Sequence, residues 1–272
     1  MTKKKIKIGI VGCGAIGASL ALILKKRFKK SVEVVALCDT NTERAQTLRR
    51  KLARAKVVSL RELIRLSDLV VESASAKVSF IVAKQALLSK KHVLIMSIGG
   101  ILERENELFK IAQKNKAKIY FPSGAICGLD GISALTLAGI EAITLKTIKP
   151  PEALQGADYV VKNRLNLNEI KEEKVIFQGT ALEAVKAFPQ NINVVALLCI
   201  AARGQVVPRG KVLVSPHSKK NVHMIEVKSR AARLEIKCEN VPSPDNPKTS
   251  YLAILSAVRA IAGISDVVHI GV

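Results

Sequence analysis

Apolar residues in the first 122 positions form short runs that alternate with stretches of helical spacing. The runs predict buried strands at residues 6–11, 32–38, 56–58, 68–72, 93–97 and 118–121. Apolar residues three and four apart predict helices at residues 15–30, 42–52, 59–66, 77–89 and 102–114. Strands that alternate with helices in this way build a parallel sheet covered by helices on both faces.

The second half of the chain has a different pattern of polar and apolar positions. Residues 142–148 alternate like a strand with one solvated face, and helical spacing returns at 180–188, 194–202 and 250–264. Three further strands are predicted in close succession, which favours antiparallel pairing, at residues 211–215, 223–228 and 233–238.

The two patterns predict two domains, with the boundary near Pro122. The fold class is α/β, with an N-terminal doubly wound parallel domain of the Rossmann type at residues 1–122. A smaller α+β catalytic domain with a mixed sheet is expected at residues 123–272. The last helix, at about 250–264, is a candidate to pack back on the first domain.

Charge is the most unusual feature of the composition. The 272 residues include 44 Lys and Arg against 22 Asp and Glu, a formal net charge of +22. Residues 1–122 carry a net +17 of this excess. Aromatic residues, which form the stacking platforms of single-strand binders, make up only 3% of the chain. The basic excess therefore predicts a solvated surface that attracts anions, with no specific nucleic acid as partner.

Cysteine usage and hydropathy bear on the cellular compartment. The five cysteines are an odd number at wide spacing, which disfavours a disulfide framework or a zinc site, and no bound metal is predicted. Such usage suits a reducing cytoplasm. No apolar stretch approaches the roughly 18 to 20 residues of a membrane span, and no signal-peptide pattern precedes the first strand. We expect a cytoplasmic protein without a membrane partner.

The segment GCGAIG at residues 12–17 matches the GxGxxG pattern between a strand and a helix. Gly12 permits the tight turn, Gly14 lets the backbone approach a pyrophosphate, and Gly17 lets the helix pack on the sheet. The helix that opens at Ala15 and Ile16 presents its N-terminus to the phosphates. The motif predicts a dinucleotide site.

Two residues at the ends of other strands extend this site. Asp39 ends the second strand and can accept hydrogen bonds from the ribose hydroxyls of the adenosine. Its carboxylate favours NAD over NADP, whereas the nearby Arg44 argues the other way, so the cofactor is predicted as NAD or NADP. Ser97 follows a further strand, at the edge where open α/β sheets bind ligands.

Candidate chemistry in the second domain rests on a few polar residues. Among four histidines, His223 begins a strand and is the natural candidate for general acid/base work, because imidazole titrates near neutral pH. The segment NPKTS at 246–250 precedes the last helix, where a helix N-terminus beside Lys248 suits an anion.

Taken together, these segments resemble the L-aspartate dehydrogenase family along most of the chain. The resemblance lies in GCGAIG (12–17), VESAS (71–75), IMSIGG (95–100), SGAICGLD (123–130), IKPP (148–151), FQGTALEAVKAFPQNINVV (177–195), NVHMIEV (221–227) and NPKTS (246–250). GxGxxG occurs in many folds, but SGAICGLD, FPQNINV and NPKTS in this order are far more specific.

The resemblance implies that the protein oxidises L-aspartate to iminoaspartate with NAD or NADP. The imine hydrolyses to oxaloacetate and ammonia, or passes to a quinolinate-forming enzyme in NAD biosynthesis. The family implies His223 as the acid/base residue and a homodimer. It implies Ala125 and either Asn191 or Asn193 as cofactor contacts, and it favours Asn191. The candidates for binding the substrate are Asn221, Lys248, Thr249 and Ser250, with Lys149 a weaker one.

The chain departs from the family pattern at three places. Ser215 replaces the usual Asp before Pro216, Ile148 stands where Arg is common, and residues 229–232 replace a glycine-containing turn. An arginine lost near the active face would alter substrate affinity.

Two other classes of function remain open from the sequence. One is another two-domain dehydrogenase or reductase acting on a small anionic substrate. The other is a non-enzymatic, basic nucleotide- or nucleic-acid-binding protein, which would show tight and strongly salt-dependent binding to nucleic acid.

Overall fold

The computed structural model describes residues 5–188, 193–244 and 246–270. The chain forms two compact units, the first made of Met1–Pro122 with Ile254–Ile270 and the second of Ser123–Ala253. Within the described part of the chain, no helix has the length and apolarity needed to cross a membrane.

The first unit alternates strands and helices as the apolar pattern predicts. Its strands are β1 (Ile6–Val11), β2 (Val32–Cys38), β3 (Lys56–Val57), β4 (Leu69–Glu72), β5 (His92–Ile95) and β6 (Ile119–Tyr120). Its helices up to Pro122 are α1 (Ala15–Arg27), α2 (Thr42–Arg50), α3 (Leu60–Leu66), α4 (Ala76–Leu88) and α5 (Glu105–Asn115).

All the strands of this first sheet are parallel, in the order β3-β2-β1-β4-β5-β6. This is the doubly wound order in which ligands bind beyond the carboxyl ends of the strands, where the order reverses between β1 and β4. Strand residues such as Ile8, Ile10, Val70 and Leu94 are fully buried, as expected for a sheet covered on both faces. The predicted Rossmann-type domain is confirmed.

The second unit contains a mixed sheet, also as predicted. Its strands are β7 (Ile140–Lys149), β8 (Lys174–Thr180), β9 (Arg209–Val214), β10 (Asn221–Ser229) and β11 (Arg233–Asn240), in the order β11-β10-β7-β9-β8. A separate pair comprises β12 (Pro242–Ser243) and β13 (Asn246–Ser250). The helices of this part are α6 (Leu129–Leu135), α7 (Pro151–Leu154), α8 (Asp158–Lys162), α9 (Ala181–Ala187) and α10 (Asn193–Ala201), and the chain continues into α11 (Tyr251–Gly263).

The strand order corrects one expectation from the sequence. Only β10 and β11 form the predicted antiparallel neighbours, because β7 lies between β9 and β10. β7 pairs antiparallel with β10 but parallel with β9. The long, alternating β7 is thus the central strand, and its inward residues Ile143 and Leu145 are buried.

The segment 246–250 directly precedes the last helix, as the sequence predicts, and it is itself extended. It is the strand β13, paired with β12, and α11 begins one residue later at Tyr251. The buried residues of α11 recur three and four positions apart, at Ile254, Ala257, Val258, Ile261 and Ala262, and this stripe belongs to the first unit.

Candidate active site

The glycine-rich loop of the first unit follows β1 and leads directly into α1. Gly12 has a φ of +91°, and a Cβ there would lie 2.6 Å from the backbone of Ala74. A Cβ at Gly17 would overlap the carbonyl oxygen of Gly12. Both positions therefore require glycine, one for the turn and one for the close packing of α1.

Gly14 is different, because its missing side chain leaves open space. No heavy atom of the described residues outside its chain neighbours lies within 4 Å of the position that a Cβ would take. Gly14 is also the N-cap of α1, and the N–H groups of Ala15, Ile16 and Gly17 have no acceptor within the helix. A backbone open at this point, with a helix N-terminus behind it, fits a pyrophosphate.

Asp39 lies directly against this loop at the end of β2. Its Oδ2 accepts a hydrogen bond from the Cys13 N–H at 2.6 Å, and its Oδ1 accepts one from the Asn41 N–H at 2.7 Å. The carboxylate is held at the edge of the loop and retains lone pairs for ribose hydroxyls.

The turns after β4 and β5 complete this edge of the first sheet. Ser97 follows β5, and its N–H donates to Glu72 Oε2 at 3.0 Å. Ser73 follows β4, and its hydroxyl donates to the Gly12 carbonyl at 2.9 Å. The predicted cofactor residues of the first unit therefore share the carboxyl edge of one parallel sheet.

The second unit gathers polar side chains at one end of the buried face of its mixed sheet. His223 on β10 stands opposite Thr147 on β7 and Cys238 on β11. Lys149 and Asn240 lie two residues further along their strands, so strand alternation places them on the same face. All five residues are buried.

The surroundings of His223 keep its imidazole neutral. The residue is 4% exposed, and its Nδ1 forms a hydrogen bond of 3.0 Å with the Thr147 hydroxyl. Burial, together with the charge of Lys149, lowers the pKa of His223 to about 3. A neutral ring at physiological pH can accept a proton.

Lys149 is the buried cation beside this histidine. It is 6% exposed, and burial lowers its pKa to about 8. At neutral pH the ammonium group carries its charge in a setting of low polarity, where it attracts a carboxylate more strongly than in water.

Two asparagines next to His223 offer buried acceptors. Asn240 Nδ2 donates to the Ala125 carbonyl at 3.0 Å and to the Asn221 carbonyl at 3.4 Å. The Oδ1 atoms of Asn221 and Asn240 are buried without a hydrogen-bond partner in the described structure. Each can accept a hydrogen bond from an N–H group of a ligand.

The remaining predicted residues lie elsewhere in the second unit or outside the description. Ala125 lies in the loop before α6 and is tied to Asn240. Asn193 is the first residue of α10, whereas Asn191 lies outside the described residues. Thr249 and Ser250 lie on β13, which belongs to a different sheet from His223. The Lys248 side chain lies outside the description.

Sequence reasoning missed Thr147 and Asn240. The alternation of β7 was visible and places Thr147 on the same face as Ile143 and Leu145. Its contact with His223 depends on the pairing of strands 76 residues apart, which no local pattern reports.

The structure shows where the three departures from the family pattern lie. Ile148 alternates with Lys149 along β7, so its side chain faces away from His223. Ser215 is buried, and its N–H donates to the Lys149 carbonyl at 3.0 Å. In the turn after β10, Ser229 Oγ accepts the N–H groups of Ala231 and Ala232, which supports the turn without glycine.

Comparisons with known proteins show which family the chain resembles. The family described as "Homoserine dehydrogenase, NAD binding domain" matches residues 12–122, and "Aspartate dehydrogenase, C-terminal" matches residues 130–264. The L-aspartate dehydrogenase of Methanosarcina mazei is 42% identical over 98% of this chain and 99% of its own. That of Methanocaldococcus jannaschii is 41% identical over the same shares.

A solved structure shows the same fold. The crystal structure of aspartate dehydrogenase from Thermotoga maritima superimposes with a TM-score of 0.76. The alignment covers 98% of this chain and 100% of the other, at 23% identity.

The doubly wound sheet, the glycine-rich loop and the matching domain families together define an oxidoreductase that uses a nicotinamide dinucleotide. Within this class, identity over almost the whole length places the chain in the L-aspartate dehydrogenase family. The resemblance seen in the sequence is thereby confirmed.

Proposed function

We propose that this protein catalyses the NAD- or NADP-dependent oxidation of L-aspartate to iminoaspartate, which hydrolyses to oxaloacetate and ammonia. The observation that carries the proposal is the neutral, buried His223, held by Thr147 beside the cation of Lys149. Identity with relatives named L-aspartate dehydrogenase supports the choice of substrate.

The role of His223 follows from the state of its ring. An amine gives up a hydride from its carbon only when the nitrogen lone pair is free, so the substrate ammonium must first lose a proton. The neutral imidazole accepts that proton at Nε2, in the tautomer in which Nδ1–H donates to the Thr147 hydroxyl. The bound nicotinamide supplies the redox chemistry by accepting the hydride.

The hydrogen-bond acceptors and the cation near His223 suit different groups of the substrate. The free Oδ1 atoms of Asn221 and Asn240 suit an ammonium or amine, and Lys149 suits a carboxylate. Lys248, Thr249 and Ser250 are our candidates for the second carboxylate. A site that pairs two carboxylates rejects alanine, because one cation would stay without its partner.

The experiment is an absorbance assay of the reduced nicotinamide with purified protein. NAD and NADP are each crossed with L-aspartate, L-alanine and L-glutamate, and the reverse reaction uses oxaloacetate with ammonium. We expect turnover with L-aspartate well above that with the other amino acids. Equal rates for all three would rule out the assignment.

A second candidate is another dinucleotide-dependent dehydrogenase acting on a small anionic substrate. It shares the glycine-rich loop and the cation, and it differs in needing no amine base. Full turnover by a His223→Ala variant would favour this alternative.

Further parts of the proposal rest on the family resemblance. These are a role in NAD biosynthesis with transfer of iminoaspartate to a quinolinate-forming enzyme, a homodimer and a cytoplasmic location. Sedimentation of the purified protein tests the dimer, and co-purification with a quinolinate-forming enzyme tests the transfer.

A further inference from the structure

Among the described strand residues of the first sheet, one buried position carries a carboxylate and the other buried positions are apolar. Glu72 is the last residue of β4 and has no exposed surface, and it follows the fully buried Val70 and Val71. Removing a carboxylate from water is costly unless hydrogen bonds replace the water. A residue in this position therefore needs donors from the fold around it.

Those donors come from two separate turns. Glu72 Oε1 accepts the N–H groups of Ala74 at 2.9 Å and Ser75 at 3.2 Å. Glu72 Oε2 accepts the N–H of Ser97 at 3.0 Å, and the Ser97 hydroxyl donates to the same carboxylate. One side chain thus joins the turn after β4 to the turn after β5.

The first of these turns lies against the glycine-rich loop. The Ser73 hydroxyl donates to the Gly12 carbonyl at 2.9 Å. A Cβ on Gly12 would lie 2.6 Å from Ala74 N, so the two backbones are already in close contact. Any displacement of residues 73–75 would be transmitted to the turn at Gly12.

The second turn is equally confined. Ser97 leads into a 3₁₀ turn at Ile98–Gly100. A Cβ on Gly100 would overlap the Ala76 carbonyl oxygen at the start of α4. The turns after β4 and β5 therefore pack on each other as well as on Glu72.

We propose that Glu72 is a positioning residue for the dinucleotide. It acts through the backbone, by holding the turns after β4 and β5 against the glycine-rich loop at the edge where the pyrophosphate binds. The two carboxylate oxygens serve different turns, so the link needs two acceptors on one side chain.

The variant Glu72→Gln removes half of this link. A glutamine oxygen can still accept the N–H groups of Ala74 and Ser75, but its amide then presents a donor to the Ser97 N–H. Leaving that buried donor unpaired would loosen the turn after β5. We expect the dissociation constants of NADH and NADPH, measured by the fluorescence of the ligand, to rise about tenfold or more for whichever dinucleotide the wild type binds.

Two controls separate positioning from loss of stability. Glu107→Gln removes an exposed carboxylate of the same unit, and should bind the dinucleotide like the wild type. Leu63→Ala creates a cavity in the core and should lower the melting temperature without changing the dissociation constant. If Leu63→Ala weakens binding as much as Glu72→Gln does at equal loss of stability, the role is structural and the proposal fails.

A second variant and a second measurement cover a protein that folds poorly. Glu72→Asp keeps the charge but is one methylene shorter, so it cannot reach both turns and should weaken binding similarly. Amide exchange at residues 73–75 and 97 should accelerate in both variants and remain unchanged in Glu107→Gln. Wild-type affinity in either folded Glu72 variant would overturn the proposal. Aspartate is absent from these measurements, so their outcome is independent of the substrate assignment.

Discussion

At the scale of single residues, the proposed chemistry depends on a histidine that burial and the charge of Lys149 hold in its neutral form. In the tautomer in which Nδ1–H donates to Thr147, Nε2 is the nitrogen free to accept a proton, and a substrate carboxylate paired with Lys149 would offset the charge that opposes this step. Lys149 contributes twice, because it lowers the pKa of the imidazole and offers a positive charge to an anion.

Replacing His223 with asparagine should remove the proton acceptor and leave the cofactor site intact. We expect kcat for aspartate oxidation to fall by roughly 10² to 10⁴-fold, the usual contribution of a general base. The dissociation constant of NADH should not change. His217→Asn is the matched control, because His217 is exposed in a turn. A His223→Asn variant with a normal kcat and a raised dissociation constant would contradict the assigned role.

The depressed pKa of His223 also predicts how stability depends on pH. Between the unfolded pKa, about 6.5, and the folded value of about 3, the unfolded chain binds the proton and the folded chain does not. The free energy of unfolding should therefore decrease as the pH falls through this window, by up to about 1.4 kcal/mol per pH unit.

Urea unfolding of wild type and His223→Asn, followed by circular dichroism at pH 5 and pH 7, measures this contribution. The other titrating groups are common to both proteins and cancel in the difference. The wild type should lose more stability than the variant at pH 5. Parallel losses would mean that the imidazole is not buried in the neutral form.

At the scale of elements, two glycines of the glycine-rich loop serve different ends, one cofactor binding and the other stability. Gly14→Ala places a methyl group in open space at a φ of −70°, which alanine readily adopts. We expect normal stability but a dissociation constant for NADH raised about tenfold or more, because the methyl group obstructs the approach of the pyrophosphate.

The matched variant in the same loop is Gly17→Ala. Its methyl group would overlap the Gly12 carbonyl, so the free energy of unfolding should decrease by about 1 to 3 kcal/mol. Thermal melting of both variants, together with NADH titration, checks the contrast. Loss of stability in Gly14→Ala of the same size would show that the space beside it is not open.

An N-cap in the second unit offers a test of the local structure alone. Thr180 caps α9 and shares a capping box with Glu183. Thr180→Ala should lower the free energy of unfolding by about 1 kcal/mol and leave NADH affinity unchanged. Thr180→Ser retains the hydroxyl acceptor, so an equal loss there would show that the cap is not responsible.

Local patterns predicted some elements of the fold better than others. The first unit was predictable because each strand from β1 to β5 is followed by a helix, and parallel sheets of this kind follow strict connection rules. The strand order of the second sheet was not predictable, because β7 pairs with strands more than 60 residues later. Strand β8, at the edge of the second sheet, was missed, and Gly179 is the one buried residue of its seven.

The candidate site divides in the same way. The glycines and Asp39 stand in a motif whose spacing is local, so the sequence reveals them. Glu72, Thr147 and Asn240 act through partners that only the folded backbone brings close. No spacing rule could have identified them.

At the scale of the whole molecule, the net charge of +22 belongs to a protein that handles anions. Such a charge increases the local concentration of dinucleotide and dicarboxylate near the surface, and salt screens it over about 10 Å at 0.1 M and 3 Å at 1 M. Raising NaCl from 0.1 to 1 M should increase the KM for aspartate and the dissociation constant of NADH several-fold, with little change in kcat. A flat response would exclude electrostatic steering.

The first unit is built from two separate parts of the chain, and this affects how the protein folds during its synthesis. All six strands of its sheet have been synthesised once residue 120 is made, but residues 254–270 of the same unit are translated only after the second unit. The first unit therefore stays incomplete while the entire second unit is translated, and the surface against which α11 packs is uncovered during that time. A nascent chain at this stage exposes the apolar surface that the buried stripe of α11 later covers, and such exposed surface makes folding intermediates prone to aggregate.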